Sequence, residues 1–530
     1  MNPQQIPFIR FQIVDSIVPE NDPPVPDFLI IVPRPVDPNS SPSPFSGIER
    51  TAPGRLKVHF DGGEIQPTSI RLRAPVIHRR FVRMYLFENG EWTDLGPKGE
   101  WIIPVGGSGE IEIRVASENF ARLGRRRVAE WSGRFDLRAS LLGANGQPCA
   151  RTKVCCRVSP FLLTSSLDPV ERVYLVDGPL TQSFVQVMEG IVHQCGARFE
   201  RMSFHDAVPS DIWAQDCVEI GATSTLGDPL KQYPAILSGI RGKHNGIRTE
   251  PLDNNIRHQF AMQNAIVVDT AEPRAMTRWI DWYGNLEVTP AHVHSDGRAF
   301  PFGRVLIGKQ NDLEFNRDTL DFLEKQGYQW PPIIVDVGWL TIGHVDEVIN
   351  FIPSKSTFGF KVMMPSVRLA RQILFQCIQG GHGTQIVFGL SEHTISIENL
   401  YLNRALSEEN KSIEARLATI REQFKIELGI SDEDFCDCPA LFHDGLAVFP
   451  NMVNSLVCNY HVIIPDPDGP EIDGVDHFAE PVRVKVQEGG STPHFVNVWE
   501  PFHVRSGEIH CATNALRRLR KADWWNYFIE

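Results

Sequence analysis

Near residue 160 the hydrophobic period of this chain changes, and the change limits what can fold on either side of it. Upstream, residues 54–160 run as short alternating segments: "GRLKVHF", "FVRMYLFENGEW", "GEIEIRVAS" and "GRFDLRASLLGANGQPCARTKVCCRV". Side chains alternate faces along a strand, so each run offers one apolar face to a core. Asn89-Gly90 and Asn145-Gly146 interrupt two of these runs, and Asn-Gly supplies the positive φ angles that a tight hairpin needs. An antiparallel β-sandwich is therefore predicted over 54–160. Downstream, "TQSFVQVMEGIVHQCGA" sets Phe184, Val187, Met188, Ile191 and Val192 on one helical face, with Thr181 as N-cap and Gly196 as stop. Further helices are predicted at about 316–326, 366–379 and 407–428. Strand-like runs lie between them: "AIVVD", "RVLIG", "PIIVDVGWL", "FKVMM", "TQIVFG" and "LVCNYHVIIP". Residues 161–530 thus read as a mixed α/β domain. No repeat is evident in the residues, although a pseudo-repeat of ββαβ units would give the same succession. Residues 1–53 form a proline-rich N-terminal segment, extended or looped, with one strand at "FLIIV".

Charge and cysteine usage remove several classes of function. Lys and Arg number 52 against 65 Asp and Glu, for a net charge of −13. No basic stripe of the kind that neutralises a phosphate backbone is present, so nucleic acid is not an expected partner. Basic peptides, or arginine itself, suit the field better. No apolar run approaches the roughly 20 residues that cross a bilayer, so no membrane is expected. "MNPQQIPFIRFQIV" lacks the pattern of a secretory leader. The ten cysteines are scattered without a C-x-x-C. The expectation is a cytoplasmic protein with free thiols. Cys436, Cys438 and His443 do not have the spacing of a zinc site. G-x-G-x-x-G, the P-loop, H-E-x-x-H and G-x-S-x-G are all absent.

Three stretches carry groups able to do chemistry. They are "WAQDCVEIG" with Trp213, Gln215, Asp216 and Glu219, "IGHVDEVINF" with His344, Asp346 and Glu347, and "SGEIHCATNALRR" with Cys511. Singly, each has a structural explanation: a half-buried strand, a helix start with acids in its first turn, and a buried thiol. Together they fit a thiol nucleophile served by a histidine. Two carboxylates are more than a cysteine protease needs to orient its histidine. They do suit a planar guanidinium, which carboxylates grip bidentately.

In this order the three stretches resemble the protein-arginine (peptidylarginine) deiminases. "YGNLEVTP", "FPFGRVLIG", "VFPNMVNSLV" and "HVRSGEIHCATNALRR" extend the resemblance over about residues 160–520. It implies an α/β fold: a five-fold pseudosymmetric α/β propeller as catalytic domain, preceded by an immunoglobulin-like β-sandwich. It implies Cys511 as nucleophile, His344 as general acid/base, Asp216 and Asp346 as guanidinium ligands, and Trp213 as packing for the arginine stem. The reaction is conversion of peptidyl-arginine to peptidyl-citrulline and ammonia through a covalent thiouronium on the cysteine. Protein substrates bearing accessible arginine are the implied partners. A homodimer is also an expectation, since the family often dimerises.

The resemblance further implies calcium. One site is retained, with Gln215, Glu219 and Glu287 as side-chain ligands and carbonyls near Tyr283 and Leu286 completing an oxygen cage. A second is broken, because Cys217 stands where the family has an acid and "YPAILSGIRG" lacks an expected aspartate. Ile212 also replaces the arginine that helps hold the substrate backbone, and Arg241 or Lys243 is the candidate to take that role. A deiminase or amidinotransferase acting on free arginine or agmatine, and a non-catalytic binding relative, are the competing readings.

Overall fold

The computed structural model describes residues 7–14, 28–33, 54–122, 130–203, 209–226, 230–239, 247–263, 265–270, 278–389 and 393–527, with a few isolated positions between them. Most of the proline-rich segment lies outside the described residues.

Two five-stranded sheets occupy the N-terminal part. The first runs, in spatial order, Phe8–Ile13, Arg55–Asp61, Ser108–Ser117, Val82–Glu88 and Glu91–Gly96. The second runs Leu29–Ile31, Pro148–Val158, Arg134–Gly143, Pro67–Arg73 and Glu100–Pro104. Alternation along the strands decides the packing. Leu56, Val58, Met84 and Ile113 of one sheet share a core with Ile70, Leu72, Leu137 and Leu141 of the other. At the predicted hairpin, Glu88 pairs with Glu91, and Asn89 and Gly90 take φ of 54° and 86°, as a two-residue turn of this hand requires. Two strands upstream of residue 53 join these sheets. Phe8–Ile13 pairs with Arg55–Asp61, and Leu29–Ile31, inside "FLIIV", runs parallel to Cys156–Val158. The first 53 residues are therefore not wholly separate from the sandwich.

Beyond residue 160 one pattern recurs five times. A first strand pairs antiparallel with a second, and the second pairs parallel, across a helical connection, with a third. Val218–Thr225, Lys231–Ser238 and Ile266–Val268 form one such unit. The next units are Leu286–Val288, Val305–Lys309 and Ile333–Asp336, then Asn350–Pro353, Phe360–Ser366 and Phe435–Pro439. A fourth is Leu456–Cys458, His461–Pro465 and Thr492–Val496. The fifth joins the two ends of this region: Thr513–Arg517 pairs antiparallel with Val170–Asp177, which pairs parallel with Arg198–Ser203. The fold is mixed α/β, and the repeat absent from the residues is present in the topology.

The helices form where apolar periodicity and caps agree. Arg317–Gln326 starts at Asn316, whose side chain accepts from the amides of Asp318 and Thr319, and stops at Gly327 in the left-handed region. Such a cap is worth about 1 kcal/mol. Gln182–Gln194 buries Phe184, Val185, Met188 and Val192, whereas Val187, expected on the same face, is 49% exposed. Thr181 precedes this helix without capping it; its hydroxyl donates to the carbonyl of Val176. No described helix is long and apolar enough to cross a membrane. The ten cysteines form no disulfide. Cys436 and Cys438 are buried on the strand Phe435–Pro439, while His443 lies beside Glu409.

Candidate active site

Each unit delivers a short turn just ahead of its first strand, and these turns hold the chemical groups. Ala214–Cys217 precedes Val218, Tyr283–Asn285 precedes Leu286, and Val345–Glu347 leads toward Asn350. Residues 451–454 precede Leu456, and Ile509–Ala512 precedes Thr513. "WAQDCVEIG" is thus a helical turn followed by a strand, and Cys511 sits on a turn ahead of the last strand. Such turns expose side chains at strand ends while the strands fix their positions.

A slot of about 240 Å³ is walled by Trp213, Trp279, Trp282 and Ile342 and floored by Asp216, His344 and Cys511. Cys511 Sγ lies 3.4 Å from Asp346 Oδ2. His344 is buried, its Nε2 2.8 Å from the carbonyl of Trp279 and its Nδ1 3.7 Å from Asp216 Oδ1. Gly284 explains that closeness: a Cβ there would stand 2.5 Å from His344 Nδ1 and 3.0 Å from Asp216 Oδ1. The sequence-predicted Cys511, His344, Asp216, Asp346 and Trp213 are therefore brought together.

Burial raises the Asp216 carboxyl to about 6 against the pull of His344 and Arg241. Burial lowers His344, but Asp216, Asp346 and Glu347 outweigh it and hold its pKa above the usual value. Burial, followed by the charges of Asp346 and Asp216, pushes the Cys511 thiol well up. A buried thiol between two carboxylates stays protonated until a cation arrives.

Arg241, the candidate for holding substrate backbone, does not line the slot. Its guanidinium is buried behind the wall, 2.9 and 3.1 Å from the two oxygens of Asp211 and 2.8 Å from Asp253 Oδ1, with the Trp282 ring 5.1 Å away. Two buried carboxylates need a counter-charge, and Arg241 provides it. Arg505, within "HVRSGEIHC", lines the slot instead. The side chain of Lys243 lies outside the described residues.

Two asparagines escaped the sequence reading. Asn454 accepts from the Cys511 amide at 3.1 Å and donates toward Cys511 Sγ at 3.2 Å. Asn285 accepts from the amides of Gly308 and Val345 at 2.8 and 3.1 Å, tying two turns together. Both fall in quoted stretches, "VFPNMVNSLV" and "YGNLEVTP", and both lie within two residues of a hydrophobic strand; that position was the available signal.

The cage residues also meet. Gln215 Nε2 lies 2.7 Å from Glu219 Oε2 and 3.4 Å from the Tyr283 carbonyl. Leu286 begins the strand that carries Glu287. Burial, then the charge of Glu287, pushes Glu219 well up, and burial brings Glu287 to about 7. Glu287 Oε1 accepts no hydrogen bond. Two crowded carboxylates, one of them facing His510 Nε2 at 3.3 Å, fit a hard cation.

The sequence profile described as Protein-arginine deiminase (PAD) matches residues 148–526. The chain belongs to the protein-arginine deiminase family. It is 28% identical over 451 residues to Protein-arginine deiminase type-4 of Homo sapiens, across 82% of this chain and 65% of that protein. To Protein-arginine deiminase type-3 of Homo sapiens it is 31% identical over 397 residues, across 72% and 58%. It thus spans less than two thirds of the length of these relatives. Among solved structures, the agmatine deiminase of Enterococcus faecalis superposes with a TM-score of 0.39 at 13% identity, over 68% of this chain and 96% of that one, a likeness too loose to carry an argument. The partners of Arg241, Asp211 and Asp253, come from the loop before Trp213 and from the helix Glu250–Met262.

Proposed function

We propose that the chain deiminates peptidyl-arginine to peptidyl-citrulline and ammonia. The convergence of Cys511, His344 and Asp216 on one aromatic-walled slot, with Asp346 Oδ2 3.4 Å from Cys511 Sγ, carries this reading. An arginine side chain enters with its methylenes against Trp213, and its guanidinium lies between Asp216 and Asp346. That cation offsets the two charges that hold the Cys511 thiol protonated, so the thiol releases its proton to solvent and the thiolate forms as substrate arrives. Sγ attacks the central carbon. The C–N bond breaks, and His344 gives its proton to the leaving ammonia. Water then loses a proton to His344 and attacks the same carbon; the C–S bond breaks and citrulline is released. Fixed carboxylates lower this barrier through positioning and charge.

Calcium is part of the proposal. Gln215, Glu219, Glu287 and the carbonyls of Tyr283 and Leu286 would hold it, and when bound it supplies positive charge that fixes the turn bearing Asp216. We also read the five units as a propeller and the N-terminal sheets as an immunoglobulin-like domain, with the catalytic part beginning near residue 161.

A second reading, action on free arginine or agmatine, draws support from the withdrawal of Arg241 behind the slot wall, which leaves fewer groups to grip a substrate backbone. Ammonia release from a blocked arginine peptide, from free arginine and from agmatine separates the two, run with calcium and with excess chelator. The expected result is calcium-stimulated turnover of the peptide, absent in Cys511→Ser. Turnover of the small guanidines alone favours the second reading, and full activity in chelator removes the calcium part.

A further inference from the structure

The stretch "RWIDWYGNLEVTP" brings two further indoles to the slot that holds Trp213. Trp279 opens the turn Trp279–Asp281, and Trp282 follows it. Arg278 holds this turn by donating to the two oxygens of Asp281 at 3.1 and 3.3 Å. The carbonyl of Trp279 lies 2.8 Å from His344 Nε2. Both Trp282 and Trp213 have a firm backing. Trp282 is 7% exposed, and the Arg241 guanidinium sits over its ring, 5.1 Å from the centroid, a cation–π distance. Asp211 and Asp253 fix that guanidinium in turn. Trp213 packs against Phe502, ring centres 5.9 Å apart, and against Gly507, where a Cβ would stand 2.5 Å from the indole. Little is left to grip a substrate backbone. Arg241 is committed to its acids, and Arg505 donates Nη1 to the carbonyl of Glu500. Asp211 also lines the slot, but both its oxygens accept from Arg241.

We infer that Trp279 and Trp282 join Trp213 in clamping the methylene stem of arginine, so that the site recognises its substrate through the side chain and depends little on the backbone or on flanking residues. The inference deepens the deimination reading above and rests on it. Walls that are already fixed lose little freedom when a chain enters between them, so most of the apolar contact is expressed as affinity. Each methylene taken out of water among the three indoles adds to binding. The Asp216 carboxylate at the floor then meets the guanidinium at a set depth. Arg241 acts here as a positioning residue: it does not touch the substrate, but it keeps the Trp282 ring from retreating. The ligand class is a guanidinium on an unbranched alkyl stem, whether peptidyl or small.

Full-length Cys511→Ser protein, with calcium present, binds without turnover. It is titrated by calorimetry with methyl-, ethyl-, propyl- and butylguanidine and with an acyl-arginine amide. The expected result is affinity rising about fourfold per added methylene, with the acyl-arginine amide within tenfold of butylguanidine. In Trp282→Ala and, separately, Trp279→Ala, made in the same background, the rise should drop to twofold or less per methylene. Methylguanidine, which has no stem to clamp, should change less than threefold. Trp279 is half-buried, so Trp279→Ala carries the test if Trp282→Ala does not fold. A rise below twofold per methylene with all three indoles in place overturns the inference. An acyl-arginine amide bound more than tenfold tighter than butylguanidine also overturns it, because the grip would then be on the backbone. An unchanged rise in both alanine variants overturns it as well and leaves the stem to Trp213 alone. The deimination reading is tested apart from this, by ammonia release from the wild type, and its failure would leave the binding series in the serine variant standing.

Discussion

Glu287 and Asp346 face opposite nitrogens of one imidazole. His510 places Nδ1 2.9 Å from Asp346 Oδ2 and Nε2 3.3 Å from Glu287 Oε1. The candidate cation cage and a candidate guanidinium ligand are therefore joined by one side chain. The residue before Cys511 thus orients Asp346. In His510→Ala, Asp346 loses a hydrogen bond of the charged kind, about 1.5–3 kcal/mol. The expected outcome is a KM for arginine peptide raised roughly tenfold or more, with a smaller change in kcat and partial recovery in His510→Gln. Steady-state kinetics checks it; equal loss in both variants with unchanged KM would refute it.

The Cys511 thiol titrates far above neutrality in the free protein, because burial and then Asp346 and Asp216 disfavour the thiolate. Alkylation by chloroacetamide should therefore be slow at pH 7.5 and still rising at pH 9. Chloroacetamidine carries its own cation to the two carboxylates and should react at least tenfold faster at pH 7.5. Rate constants for the two reagents across pH test this, and a plateau below pH 8 with chloroacetamide would count against it.

Arg241 is the counter-charge for Asp211 and Asp253. Arg241→Met leaves two carboxylates buried without it and should cost about 3–5 kcal/mol. Asp253→Asn retains the oxygen that faces Arg241 and should be mild. Its effect depends on pH with a definite sign. Burial raises Asp253 from 3.8 to about 7 in the folded protein. The stability tied to its protonated form is present below the unfolded value and lost as pH rises through the folded one. Asp253→Asn keeps that contribution, so it should gain on the wild type between pH 5 and pH 8. Urea unfolding at both pH values measures the difference.

Gly284→Ala should inactivate without unfolding. The added methyl would meet the His344 ring and the Asp216 carboxylate, neither of which can retreat from a buried site. A loss of kcat of about a hundredfold or more is expected, as when a general acid/base is misplaced. Circular dichroism and melting should stay near wild type; retained activity would show that His344 tolerates the shift.

Local chemistry was legible in the sequence, and long-range partnerships were not. Asn89-Gly90 announced its hairpin because a two-residue turn with positive φ admits few residues. The helix expected at about 316–326 forms as Arg317–Gln326, and the structure adds its cap and its stop. Ala479–Glu488 did not, because Val482, Val484 and Val486 alternate like a strand, yet Val482 and Val486 are buried and Val484 is exposed. The helix Glu250–Met262 buries Leu252, Ile256 and Phe260 four residues apart, a pattern present in the sequence but diluted by charge. The site was readable as far as its residue types were rare in combination: one cysteine, one histidine and two aspartates in collinear stretches. Arg241 was misassigned because its partners Asp211 and Asp253 come from other segments. Asn285 and Asn454 look like loop residues until the turns are brought together.

The turns that precede the first strands have a consequence for how the protein responds to ligand. Cys511, Asp216, His344 with Asp346, and Asn454 come from four different units, and the unit bearing Cys511 exists only when Thr513–Arg517 pairs with Val170–Asp177. A guanidinium gripped among them is a non-covalent crosslink between parts of the chain that are otherwise held only by their mutual packing. By mass action it stabilises the assembled state as a whole. Occupancy of the slot is then felt at a distance, as slower exchange of amides in Thr513–Arg517 and Val170–Asp177, the strands that join the two ends of this region.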